Sequence, residues 1–338
     1  MLECIFTIDY EIYGNGEGSL KELVFEPAER LKTIFDKVGA KFVVFVEAAE
    51  LEKIDTFRTD ASIDQVKDQI REFYEEGFEI GLHLHPQWCN ARYQGTKWDL
   101  DYTEYNLCTL SQRRITEIVE RSIAYLRKVL EAPDFTPLSF RAGNWLFQPT
   151  AVAARVLTEH GIKIDSSVFK GGLQHKHKLD YRRAIKNGYY WTFGDDVAAS
   201  DPGGPLIEIP IYADMVPFWK LITAKRLALQ HKAASSTRTL RDWLDRLLDL
   251  MRFRQPRKFD FCRMTLDELV LMMTALTNED LRSPEVSKPI VAIGHTKDLV
   301  DFRTIESFLL YLSEKQIAVS TLARFSEGPR AILQSAHA

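Results

Sequence analysis

Apolar residues in this chain gather in short continuous runs that alternate with longer amphipathic stretches, the pattern of strands and helices in succession. Residues 2–7 read as a buried strand ending at Asp9-Tyr10-Glu11, and residues 42–46 as a β-branched second strand. Between them a helix opens at Pro27 and is closed by Gly39. A polar helix over 62–76 stops at Gly77 and leads into a third strand, 79–85. Ser111 can cap a long amphipathic helix reaching residue 130, after which two prolines break the chain before the strand-like run at 138–145. A helix over 149–160 and a short strand over 162–167 follow. Residues 168–204, rich in Gly, Asp and aromatics, are expected to form a long lid or substrate loop, and 206–212 returns to strand. Two basic amphipathic helices are expected over 216–254. Thr265-Leu266-Asp267-Glu268 is a capping box for another helix, and strand 289–295, helix 304–315 and strand 317–322 close the series.

Short hydrophobic strands alternating with helices predict an α/β fold whose parallel sheet is covered by helices, with functional residues at the strands' C-terminal ends. A (β/α) barrel would gather those ends in one mouth. The competing open doubly wound sheet lacks support, because no glycine fingerprint follows the first strand. With no internal repeat or linker, 1–338 is expected to be one domain, carrying an inserted basic helical segment at about 216–278.

Charge sharpens this picture in one place. The segment 216–263 carries twelve Lys or Arg against four Asp, a net +8, which leaves −12 for the rest of a chain whose total is −4. Solvated helix faces commonly explain such a run, and an anion-binding face is the sharper reading. Nothing points to nucleic acid. The N-terminal run lacks a basic n-region and a cleavage site, and no apolar run approaches the roughly 20 residues that span a bilayer. The expected location is therefore cytoplasmic, with any membrane contact peripheral. Cys4, Cys89, Cys108 and Cys262 have no paired spacing and fit reduced, buried thiols.

The candidate chemistry lies at the strand ends. In an extended segment His83 and His85 project to the same face, roughly 7 Å apart, while Ile80, Leu82 and Leu84 take the other. Pro86 then ends the strand, so two imidazoles meet where a metal could be held. Asp9 and Glu11 top the first strand, Arg141 the fourth, Asp165 the fifth and His295 the strand near the C-terminus, a set suited to metal-assisted hydrolysis.

In order, Thr7-Ile8-Asp9-Tyr10-Glu11, the run from Glu79 to His85, Phe140-Arg141-Ala142-Gly143-Asn144, Ile164-Asp165-Ser166-Ser167 and Ile293-Gly294-His295 resemble the motifs of the polysaccharide deacetylase family, the NodB-homology domain or carbohydrate esterase family four. The His-Leu-His-Pro form looks like the branch encoded in surface-polysaccharide loci. The resemblance implies a distorted (β/α)7 barrel and one divalent ion, zinc first, with cobalt, nickel and manganese as alternatives. It implies Glu11, His83 and His85 as metal ligands, Asp9 as general base, Arg141 as the cation orienting it and His295 as general acid. Asp165 would orient His295, with Asp195, Asp196 and Asp201 as rivals, and Trp88, Asn144 and Trp145 would line the substrate site. This chain departs from the family in three ways. Gln87 stands where the second metal His is usual, Glu11 replaces an Asp, and Ala-Gly follows Arg141. The implied activity is metal-dependent N-deacetylation of an acetylated sugar, a precursor of lipopolysaccharide or capsule on a phosphorylated carrier. The alternatives are a metal-free glycoside hydrolase using Asp9 and Glu11, and a sugar-binding pseudoenzyme of the same fold.

Overall fold

Leu2–Tyr10 (β1) is almost wholly buried, as a strand must be when it lies inside a parallel sheet with helices on its outer face. In the computed structural model, which describes residues 1–185, 189–223, 225, 252–285 and 287–327, β1 is the hub of the sheet. The other parallel strands are Val43–Glu47 (β2), Glu79–Leu84 (β3), Ser139–Ala142 (β4), Ile164–Asp165 (β5), Leu206–Glu208 (β6) and Lys288–His295 (β7). Their spatial order is β6-β5-β4-β3-β2-β1-β7, with Trp191–Phe193 antiparallel on the outside of β6. Beyond β6 the chain reaches Ile211, which bridges in parallel to Val291 of β7, and Tyr212 N–H donates to the Val291 carbonyl at 3.0 Å. The sheet thereby curls into a (β/α)7 barrel in which every strand neighbours the next in sequence. The expected last strand is only Ala318–Ser320 and pairs with the start of β1, so it buttresses the barrel bottom.

Seven helices occur among the described residues: Glu26–Lys37 (α1), Ala48–Phe57 (α2), Ile63–Glu75 (α3), Gln112–Leu130 (α4), Ala151–Glu159 (α5), Leu266–Asp280 (α6) and Phe302–Glu314 (α7). Ser111 caps α4 and the Thr265/Glu268 capping box starts α6, as their spacing predicts. Helix α2 is absent from the sequence-based expectation. It starts directly from β2, with the Glu47 carboxylate accepting from the N–H groups of Ala49 and Glu50 at 3.2 and 3.3 Å.

The expected basic helices are not seen at the ends of their segment. Ala213–Pro217 and Arg254–Lys258 instead form an antiparallel ribbon, and the interior, 226–251, lies outside the described residues. The expected lid packs onto the barrel as support: Tyr181 is fully buried, its hydroxyl donating to the Trp145 carbonyl at 2.7 Å and accepting from Phe147 N–H at 3.1 Å. All four cysteines are free and buried. Among the described residues no helix is long and apolar enough to cross a membrane.

The register sets up the site. Asp9 pairs with His295 across β1 and β7, Glu47 with His83 and His83 with Arg141 across β2, β3 and β4, and Glu208 with Asp165 across β6 and β5. Each of the seven strands thus carries an ionisable side chain at or one residue from its C-terminal end.

Candidate active site

Arg141 is completely buried, and its guanidinium makes four hydrogen bonds. Its Nη1 donates to Asp9 Oδ1 at 2.7 Å and to Thr7 Oγ1 at 2.9 Å, its Nε to the Ser166 carbonyl at 2.9 Å, and its guanidinium lies 4.2 Å from the Phe45 ring centroid. Burial alone would raise the Asp9 carboxyl, but Arg141, His83 and His295 outweigh it and hold Asp9 below the ordinary range. Asp9 is an ionised carboxylate with one oxygen fixed by Arg141 and the other, Oδ2, facing His295 Nε2 at 3.4 Å.

His83 donates its Nδ1–H to the Arg141 carbonyl at 2.9 Å, which leaves Nε2 as the free nitrogen. That Nε2 is buried with no hydrogen-bond partner; Glu11 Oε2 is 3.5 Å from it and Asp9 Oδ2 3.9 Å. His85 Nε2 is 3.1 Å from the same Glu11 oxygen, and the two imidazoles stand edge to face, 4.9 Å apart. Glu11 Oε1 is taken by Lys297 Nζ at 2.6 Å, so Oε2 is the oxygen turned to the histidines. Burial favours a neutral Glu11, but Lys297 and then His85 pull it well below the ordinary carboxylate range.

This donor set fits a divalent cation. Atoms of Glu11, Glu47, His83 and His85 converge within 4.8 Å. A lone pair on His83 Nε2 facing two carboxylate oxygens is repulsive unless a positive charge sits among them. Without a metal the charge is a proton: burial lowers the His83 pKa, but Asp9 and Glu11 override it and lift it to about 9. Two imidazoles and one carboxylate are a common ligand set of catalytic zinc.

Gln87 approaches His85 from behind, its Nε2 lying 3.2 Å from Nδ1 while its Oε1 is buried without a partner. Turning that amide by 180° would place Oε1 against a protonated Nδ1, the state His85 needs to offer Nε2 to a cation. Asn144, expected to line the substrate site, also touches His85 Nδ1, at 3.2 Å. Gly143 makes room for this ring, since a Cβ there would lie 2.8 Å from His85 Cγ.

Two expectations are corrected. Asp165 does not reach His295: its oxygens accept from Ser167 Oγ at 2.7 Å and Ser167 N at 3.1 Å beside Glu208. The carboxylate closest to His295 Nδ1 is Asp298 Oδ2, at 3.8 Å. Trp88 is not a sugar platform, because it is fully buried, 5.2 Å from the Trp98 ring. Trp145, the other expected wall, lies 6.4 Å from the His295 ring, and Lys258 Nζ covers one of its faces 2.9 Å from the centroid. Asn144 and Trp145 both have left-handed backbone, with φ of 53° and 60°, a conformation non-glycine residues keep mainly where the surroundings enforce it.

Sequence reasoning missed Glu47, Lys297 and Asp298. Glu47 is completely buried, its Oε2 accepting the His85 N–H at 2.6 Å, and burial raises its carboxyl to about 7. Its place at the end of a hydrophobic run was the available signal. Lys297 and Asp298 lie in the turn directly after His295, where their proximity to the motif was the clue.

No family model matches this chain, and no curated protein matches it. Solved structures share its fold. A Mycobacterium smegmatis protein assigned to the polysaccharide deacetylases is 14% identical, with a TM-score of 0.52 over 98% of this chain and 91% of that one. A GH57 branching enzyme from Thermococcus kodakaraensis is 12% identical, with a TM-score of 0.56 over 98% and 72%. A GH57-type branching enzyme from Pyrococcus horikoshii is 10% identical, with a TM-score of 0.55 over 98% and 71%. At these identities the likeness establishes the barrel, and the chemistry must be argued from the residues.

Proposed function

We propose that this protein is a metal-dependent hydrolase that removes the acetyl group from an N-acetylated sugar, a precursor of lipopolysaccharide or capsule. The observation that carries the reading is the orphaned His83 Nε2, held by the Arg141 carbonyl so that it faces Glu11 and His85 beside an ionised Asp9. Glu11, His83 and His85 would hold the ion. A divalent ion there supplies Lewis acidity toward an acyl oxygen and makes water a better proton donor near neutral pH.

The remaining steps belong to side chains. Asp9, kept ionised by Arg141, takes the proton of the water that attacks the acetamide carbonyl carbon. Burial lowers His295 to about 4, so it begins neutral and can accept that proton from Asp9 Oδ2, 3.4 Å away. It then gives the proton to the amine as the C–N bond breaks, releasing acetate and the free amino sugar. Binding of the precursor's phosphorylated carrier is assigned to the basic segment 216–263, in keeping with its net +8.

The competing reading is a metal-free glycoside hydrolase using Asp9 and Glu11, and the GH57 barrels give it standing. It needs one carboxyl that holds a proton at neutral pH. Here both candidates are salt-bridged, Asp9 to Arg141 and Glu11 to Lys297, which favours the ionised form of each. Acetate release from N-acetylated sugars after loading with Zn, Co, Ni or Mn, alongside metal content by elemental analysis, tests the proposal. A protein that cannot be loaded but cleaves glycosidic bonds would favour the glycosidase, and one that binds sugar without turnover the pseudoenzyme.

A further inference from the structure

Lys258 is the last residue of the strand Arg254–Lys258, and the backbone after it is clamped. Phe259 N–H donates to the Tyr212 carbonyl at 2.8 Å and its carbonyl accepts from Ile293 N–H at 2.9 Å. Lys258 is therefore anchored at the seam where the barrel closes, two residues before Asp260, which bridges in parallel to Ile293 of the strand that ends in His295. Its Nζ rests on two aromatic rings, 2.9 Å from the Trp145 centroid and 4.7 Å from that of Phe169.

What separates Lys258 from its neighbours is the lack of an anionic partner. Arg257 is paired with Asp214, Arg263 with Asp298, Lys297 with Glu11 and Arg141 with Asp9. Among the described residues, Lys258 Nζ has no hydrogen bond and no ion pair. The nearby carboxylate, Asp260, is turned away: Oδ1 accepts from Cys262 N at 3.1 Å and Arg263 N at 3.0 Å, and Oδ2 lies 3.5 Å from Arg263 Nε. A half-buried lysine amine with only ring faces beside it lacks the acceptors that satisfy such a group elsewhere, and burial pulls it well below the ordinary lysine range, so an anion seated against it would favour its charged form. Trp145, on which it rests, lies in turn 6.4 Å from the His295 ring.

We propose that Lys258 is a specificity-determining residue that receives an anionic group of the substrate, a phosphate or a carboxylate carried close to the reacting acetamide. This deepens the deacetylase reading and rests on it for the identity of the sugar. The site would then select charged N-acetylated sugars over neutral ones, with Lys258 supplying the charge.

The test has two arms on the full-length, zinc-loaded protein. In the first, binding of inorganic phosphate and of acetate is measured by calorimetry for wild type, Lys258→Met and Lys258→Arg, and by the NMR shift of the Lys258 side chain in wild type. The expected result is a shift on anion addition in wild type, affinity at least tenfold weaker in Lys258→Met, and recovery in Lys258→Arg. Equal anion binding by wild type and Lys258→Met, or no response of Lys258, overturns the proposal whatever the protein's activity. In the second, affinities for N-acetylglucosamine, its 1-phosphate and an N-acetylated aminouronic acid are compared. Lys258→Met should lower the charged-to-neutral affinity ratio at least tenfold, and whichever anion shows the larger loss is the natural one. An unchanged ratio for both overturns the proposal. Failure of all three sugars to release acetate from wild type would count against the deacetylase reading alone, since the anion arm is independent of turnover.

Discussion

His83 donates its Nδ1–H to the backbone carbonyl of Arg141, 2.9 Å away, across the β3–β4 pairing. The residue that fixes Asp9 through its guanidinium thus fixes the tautomer of His83 through its main chain. A carbonyl can only accept, so Nδ1 must carry the proton and Nε2 must present either a lone pair or a second proton. The arrangement prepares an imidazole for a cation before any cation arrives.

If Glu11, His83 and His85 hold a divalent ion, alanine at any of them should remove most bound metal, measured by competition with a chelating dye. Gln87→Ala is a different case, because Gln87 touches the far nitrogen of His85 and not the face turned to Glu11. It should keep stoichiometric metal at an affinity lower by roughly 10–100-fold, the usual effect of losing an outer hydrogen-bond partner. Wild-type affinity in His85→Ala together with metal-free Gln87→Ala would sink the assignment.

Asp9 and His295 are expected to separate chemistry from metal binding. Asp9→Asn should bind the ion yet show no turnover, because a carboxamide retains the size of the side chain without its basicity. His295→Ala should retain metal and slow acetate release by roughly 10²–10⁴, the range for a lost proton donor. A His295→Ala enzyme at full speed would place the acid elsewhere.

The Asp165–Glu208 pair, side by side across β5 and β6, gives a pH prediction away from the proposed metal ligands. Burial raises both carboxyls, and Asp165 further raises Glu208, so the folded protein keeps a proton that the unfolded chain sheds above about pH 4.3. A raised folded-state pKa means stability is fully present below the unfolded value and is lost as pH rises toward the folded one, by up to about 1.4 kcal/mol per pH unit for one proton. Denaturant melts from mildly acid to mildly alkaline pH should show this decline. Glu208→Gln, which cannot ionise, should flatten it, and an identical slope in the variant would show that the pair does not hold the proton.

Much of this was legible because strand ends carry the chemistry and the strands are short hydrophobic runs. Asp9, His83, Arg141 and His295 could be found that way. The ribbon strand Arg254–Lys258 could not, since five residues containing Pro256 and three cations carry no hydrophobic signal, and its pairing comes from Ala213–Pro217, far away in sequence. Helix α2 was hidden because it starts without a break from β2, and its cap, Glu47, reads as the end of the strand. Asp165 was assigned to His295 because both top strands, yet the register sets Asp165 level with Phe140 and Glu208, on the opposite face of the pleat from Arg141, and leaves Asp298, in the turn after β7, nearest the imidazole. Trp88 follows the histidines in sequence but faces inward, against Trp98.

The sharpest test of the site's geometry needs no ionisable residue. At Gly143 a Cβ would lie 2.5 Å from the Leu84 carbonyl oxygen and 2.8 Å from both Cγ and Nδ1 of His85. The carbonyl belongs to β3 and cannot yield, so the ring must move, and it is pinned between Glu11 at 3.1 Å and the amides of Gln87 and Asn144, each at 3.2 Å. Gly143→Ala should therefore cost roughly 1–3 kcal/mol of stability, as overpacking does, and weaken metal binding in the protein that remains folded. Gly81 is the control: a Cβ there would meet the Phe45 ring at 2.7 Å and Ser139 Oγ at 2.8 Å, crowding the interior without touching His85. Gly81→Ala should destabilise to a similar degree while the folded fraction keeps its metal affinity. If both variants lose affinity alike, metal binding follows general packing of the barrel; if only Gly143→Ala does, it is the placement of the His85 ring that the ion requires.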